Sequence, residues 1–133
     1  MAHGQPTILL VEDEAELLEL TADAVRAYGY RVHAALSGAE AIEILESDAI
    51  DLVVTDAVMP EMSGAELAAT MARRWPDVPI LFVTGYAAGT SAIPDTGADD
   101  TLTKPVPLDV LLGAIEERLS ARTADPGSSR GKD

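Results

Sequence analysis

Three short apolar runs decide what this chain can become. Residues 7–11 read TILLV, residues 51–55 read DLVVT and residues 79–84 read PILFVT. Each is too short for a core helix and each is rich in aliphatic and β-branched side chains. Strands that lack polar alternation are buried on both faces, which calls for a parallel sheet with helices above and below it.

Helical patterns fill the gaps. Residues 13–28 place Leu17, Leu20, Thr21, Ala24 and Tyr28 at helical spacing and stop at Gly29. Residues 30–36 alternate as a strand does. Ser37 with Glu40 three positions on forms a capping box for a helix to about Ser47. Ser63-Gly64 opens a helix through Arg74, and Trp75-Pro76 stops it. Residues 101–103 form a short strand before Lys104-Pro105. Pro107 suits the first turn of a last helix, with Leu108, Leu111, Leu112, Ile115 and Leu119 on one face. The alternation predicts right-handed crossovers and an α/β, doubly wound, five-stranded parallel sheet. Residues 85–99 are irregular, with room for a helix of only a turn or two. One domain over residues 1–120 is expected, followed by a disordered tail over 121–133, which has no apolar periodicity.

Charge removes several classes of function. Nine Lys and Arg stand against 23 Asp and Glu, a net charge of −14. Such a chain repels phosphate backbones and anionic lipid, so neither nucleic acid nor membrane is expected as a partner. No apolar run approaches a membrane span, and MAHGQPT is no signal peptide, so a cytoplasmic protein is expected. The absence of cysteine excludes disulfides, thiolate metal sites and thiol nucleophiles.

The remaining question is whether a few acids sit where solubility does not need them. Open parallel sheets bind ligands outside the carboxyl ends of their strands. The expected strands end at Glu12-Asp13, at Asp56, at Thr84 and before Lys104. Singly, each has a plain explanation: helix-terminal acids, a turn acid, a strand-end threonine, a solvated lysine. Together, and in this order, they bring three carboxylates, a hydroxyl and an ammonium to one edge. Clustered carboxylates repel one another unless a cation joins them, and hard oxygen donors suit Mg2+. Asp56 is then a candidate nucleophile for a phosphoryl group, with Thr84 and Lys104 as donors to its oxygens.

The stretches ILLVEDE (8–14), DLVVTDAVMPEMSG (51–64), LFVTG (81–85) and GADDTLTKPV (97–106) resemble the receiver domains of two-component response regulators. The resemblance implies the flavodoxin-like (βα)5 receiver fold with strand order 2-1-3-4-5. It implies that Asp56 is the phosphoacceptor. Asp13 and Asp56 would bind Mg2+ by carboxylate oxygens, Val58 by its backbone carbonyl, and Glu12 through metal-bound water. Thr84 would be the switch hydroxyl and Lys104 the phosphate-pairing cation, aimed by Pro105. Gly85 is small, as phosphoryl access requires in that family. The implied partner is a sensor histidine kinase or histidine phosphotransfer protein, met by a monomer or weak dimer.

One position departs from most receivers. Thr101, three residues before the lysine, stands where they carry an aromatic, and the nearest aromatic is Tyr86. That pattern is similar to a subgroup of single-domain and hybrid-kinase-associated receivers, and it moves the expected switch into residues 85–99. Neither Val58 nor Tyr86 offers a carboxylate or amide to orient an attacking water, so slow loss of the phosphoryl group is expected. Because the chain closes on a tail, output by protein contact or as a phosphate shuttle is expected, with excision from a larger hybrid kinase as the other possibility. The alternative function is a small Mg2+-dependent phosphohydrolase with an Asp nucleophile. That chemistry wants a second Asp at the position of Val58, and a cap for which this length has no room.

Overall fold

The computed structural model describes residues 5–56, 62–84, 101–103 and 106–124. In chain order these form β1 (Thr7–Val11), α1 (Ala15–Ala27), β2 (Arg31–Ala35), α2 (Gly38–Ser47), β3 (Leu52–Asp56), α3 (Gly64–Arg74), β4 (Ile80–Thr84), β5 (Thr101–Thr103) and α4 (Leu108–Ala124). All four strand pairings are parallel, and the sheet order is β2-β1-β3-β4-β5. This is the doubly wound, flavodoxin-like arrangement that the apolar runs call for. The short helix expected within 85–99 falls outside the described residues.

Alternate residues of each central strand serve opposite faces of the sheet. Ile8, Leu10, Leu52, Val54 and Leu81 pack with Leu18 and Val25 of α1 and with Leu111, Leu112 and Ile115 of α4. Leu9, Val11 and Val53 pack with Ala41 and Leu45 of α2 and with Leu67 and Met71 of α3. Two half-cores therefore clamp one sheet, and the strands that carry both are apolar at nearly every position. At the amino end, the Asp51 amide donates to the Thr7 carbonyl at 2.8 Å. The Thr7 amide donates to the Asp51 carboxylate, also at 2.8 Å. This two-way pair fixes the start of β1 against the start of β3.

The helix boundaries follow their local signals. Ser63 caps α3 with a reciprocal capping box, its hydroxyl accepting from the Glu66 amide while the Glu66 carboxylate accepts from the Ser63 amide. Ser37 caps α2 by accepting from the Glu40 amide at 3.1 Å. Glu40 reaches back one residue further than a capping box requires, to the Leu36 amide at 2.7 Å. After α1 the chain turns through Gly29 at φ 118, a left-handed conformation that a side chain would oppose.

Three expectations need correction. The stripe 17/20/21/24/28 is not the buried face of α1: Leu18, Ala22 and Val25 are buried, whereas Leu20 is 68% and Tyr28 53% exposed. Two neighbouring stripes share one helical spacing, and the sheet surface chooses between them. On α4, Leu111, Leu112 and Ile115 are buried, but Leu108 is 45% exposed in the first turn, ahead of the packed face. Finally, α4 runs to Ala124, four residues into the expected tail. Its last four residues, ARTA, lack the apolar periodicity of the packed face but are helical.

Candidate functional site

The site is a product of strand register. Val11 of β1 lies opposite Thr55 of β3, so the next residue of each strand is Glu12 and Asp56. Asp56 lies opposite Val83 of β4, which puts Thr84 one step beyond at the same edge. Thr84 in turn lies opposite Thr103 of β5, the residue before Lys104. On the far side, the Glu12 amide donates to the Ala35 carbonyl at 3.0 Å, tying the couplet Glu12-Asp13 to the end of β2.

Carboxylate oxygens of Glu12, Asp13 and Asp56 all lie within 4.8 Å of one another. The three differ in environment. Asp56 is 9% exposed, Glu12 is half-buried and Asp13 is exposed. Both Glu12 and Asp13 precede α1, whose N-cap is Glu14, so they are not residues of its first turn. The Glu12 carboxylate also accepts from the Glu14 amide at 3.1 Å, which orients it at the head of that helix. Beneath Asp56, the Thr55 hydroxyl is fully buried and donates to the Asp56 carbonyl at 3.1 Å. A cavity of about 570 Å3 adjoins the acids, with Glu12 and Asp56 in its wall among Leu10, Leu17, Val54 and Val106.

Three anionic oxygens at this spacing repel one another through a poorly screening interior. Hard oxygen donors in that number fit a small divalent cation with water completing its shell, which is the preference of Mg2+. The cluster could hold such an ion. Thr101 lies in β5 opposite Phe82, two steps from the Thr84 pairing. Val58, Gly85, Tyr86, Lys104 and Pro105 lie outside the described residues.

Residues 8–116 match the family model for the response regulator receiver domain. The chain belongs to that family. Receiver domains are the signalling phosphoacceptors of two-component systems, and that is the class of function this fold serves. Over 120 residues the chain is 40% identical to the sensor kinase CckA of Brucella abortus, covering 87% of this chain and 13% of that kinase. It is 39% identical to the response regulator receiver protein CpdR of the same organism, covering 86% of this chain and 97% of that protein. Among solved structures it is similar to the response regulator protein TrrA of Thermotoga maritima in complex with Mg2+ and BeF. The TM-score is 0.78 at 30% identity, covering 86% of this chain and 100% of that one. The chain spans less than a third of the length of the first curated relatives that it matches. Among the described residues, no helix of this receiver is long and apolar enough to cross a membrane.

Sequence reasoning missed two tertiary contacts. The first is the close approach of Gly38 to Met62. The second is Arg74, which pairs with Glu46 at 2.8 Å and lies 4.4 Å over the Trp75 ring, joining α2 to the end of α3. Both join segments distant in sequence, and no local periodicity reports them.

Proposed function

We propose that Asp56 accepts a phosphoryl group from a phosphohistidine of a sensor kinase or histidine phosphotransfer protein, with Mg2+ held by Glu12, Asp13 and Asp56. The convergence of the three carboxylates at the carboxyl edge carries this reading. An Asp56 carboxylate oxygen attacks phosphorus in line with the phosphorus–nitrogen bond. As the new oxygen–phosphorus bond forms, that bond breaks and its electron pair returns to the imidazole ring. The ring leaves neutral, with the proton on its other nitrogen, and Asp56 becomes a mixed carboxylic–phosphoric anhydride. Mg2+, when bound, supplies the positive charge that offsets the carboxylates and the transferring oxygens.

The other roles rest on the resemblance. Asp13 and Asp56 ligate the ion directly, Val58 through its carbonyl and Glu12 through water. Thr84 and Lys104 donate to the phosphoryl oxygens, and Pro105 aims the lysine. Gly85 leaves room for the group. With Thr101 in place of an aromatic, switching runs through Tyr86 and residues 85–99. Val58 and Tyr86 do not orient water, so self-dephosphorylation is slow. We place the protein in the cytoplasm as a monomer or weak dimer, acting by protein contact. A phosphohydrolase is not favoured, because the position two after Asp56 is Val58 and supplies no general acid.

Mass spectrometry of the intact chain after acetyl phosphate and Mg2+ tests the assignment. One phosphoryl group per chain is expected on the wild type and none on Asp56→Asn. Labelling that survives on Asp56→Asn, or continuous turnover of the donor, contradicts it.

A further inference from the structure

Strand β2 stands at one end of the sheet and pairs with β1 alone. Two bonds show which of its backbone groups face β1. The Arg31 amide donates to the Pro6 carbonyl at 3.0 Å, and the Ala35 carbonyl accepts from the Glu12 amide at 3.0 Å. In the parallel register that runs from Thr7↔Arg31 to Val11↔Ala35, residues 31, 33 and 35 therefore bond inward. Val32, Ala34 and the next residue of that alternation, Leu36, turn their amides and carbonyls to the open edge. Such an edge is a template for another strand.

Two of the outward groups are taken by side chains. Arg26, in the last turn of α1, donates through Nη2 to the Val32 carbonyl at 3.2 Å, and the Asp23 carboxylate accepts from its Nη1 at 3.4 Å. The Glu40 carboxylate of α2 accepts from the Leu36 amide at 2.7 Å. Between them Ala34 is exposed, and its amide and carbonyl have no hydrogen-bond partner among the described residues. The two capped groups thus lie two residues either side of Ala34, one an acceptor and the other a donor. A second copy related by a two-fold axis beside Ala34 would run antiparallel, setting Ala34 against Ala34 and Val32 against Leu36. One bond of that Val32–Leu36 pair runs from the Leu36 amide to the Val32 carbonyl, the two groups that Glu40 and Arg26 occupy. A second copy fits this edge because it brings a strand already extended, with open groups at matching spacing and no ordering cost. We infer that the β2 edge is an interface for a second copy of this chain, held shut by Arg26 and Glu40. This stands apart from the phosphoacceptor reading.

The test compares the full wild-type chain with Arg26→Ala/Glu40→Ala by sedimentation equilibrium. The double variant loses one charge of each sign, so its net charge stays at −14. Its association constant should rise by about tenfold or more, and each single variant should show part of that rise. Adding Ala34→Pro, which removes the outward amide and no bond to β1, should restore the wild-type value. Hydrogen exchange supplies a measurement that needs no substitution. In the wild type the Leu36 amide should exchange several-fold more slowly than the Ala34 amide, after correction for intrinsic rates. In the double variant, protection of the Ala34 amide should grow with protein concentration. Folded single and double variants that associate no more strongly than wild type overturn the inference. So does stronger association that Ala34→Pro leaves in place, since another surface would then be responsible. Wild-type exchange at Leu36 as fast as at Ala34 overturns it too, because Glu40 would not be holding the edge.

Discussion

Val11 and Thr55 lie opposite each other in the parallel register of β1 and β3. Both strands run in the same direction, so the residues that follow, Glu12 and Asp56, emerge at the same edge with their carboxylates in one cluster with Asp13. A slip of one residue would move Asp56 to another level and reverse the faces of β3. The register that buries Leu52, Val53 and Val54 is thus the register that assembles the acids.

Mg2+ should therefore stabilise the fold. At about 100 times its dissociation constant, linkage adds about 2.7 kcal/mol. Asp13→Asn should raise the melting temperature measured in chelator, by removing one repelling charge, and reduce the gain on adding Mg2+. Paired thermal melts with chelator and with Mg2+ check both signs.

The caps make a second, separable prediction. Ser63→Ala removes the hydroxyl that accepts from the Glu66 amide, and it should cost about 1 kcal/mol of stability in urea unfolding. The Asp56 carboxylate is not part of that cap, so the variant should still take a single phosphoryl group.

Helix α1 offers a direct check of its orientation. Leu18 is 5% exposed and Leu20 is 68% exposed. Leu18→Ala should cost about 2–5 kcal/mol. Leu20→Ala should stay within about 0.5 kcal/mol of wild type. Reversed costs would mean that the helix presents the stripe centred on Leu20 instead.

Tyr30 gives a pH dependence. Its hydroxyl is held above the usual tyrosine range first by burial, then by the negative charge of Glu116 and by Tyr28, whose ring stacks on it at 5.9 Å. The folded state keeps the proton at pH values where the unfolded chain releases it, so the unfolded state binds fewer protons there. Stability is then unaffected by this group below pH about 10 and falls as pH rises beyond it. Tyr30→Phe should flatten that alkaline loss in melts from pH about 9 to 11.

Much of this architecture was legible because its signals are local. An apolar run followed by an acid needs no partner to be recognised, and neither does Ser63 three residues before Glu66. The three-residue β5 was readable from TLT before Lys104-Pro105. The buried face of α1 was not, because adjacent stripes at one helical spacing differ only in what lies against them. The extent of α4 was misjudged for a related reason: a loss of apolar periodicity marks where packing ends, whereas the helix itself runs on to Ala124.

By itself, then, the sequence determined the parallel sheet, the strand ends that carry Glu12, Asp13, Asp56 and Thr84, and the family to which those motifs point. Each of these depends on residue type and spacing along one segment. Only the tertiary structure decided which stripe of α1 is buried, that Asp51 clasps Thr7, and that Gly38 must be bare where Met62 passes. Those are distances between segments far apart in the chain, and they are set by how the half-cores close on the sheet.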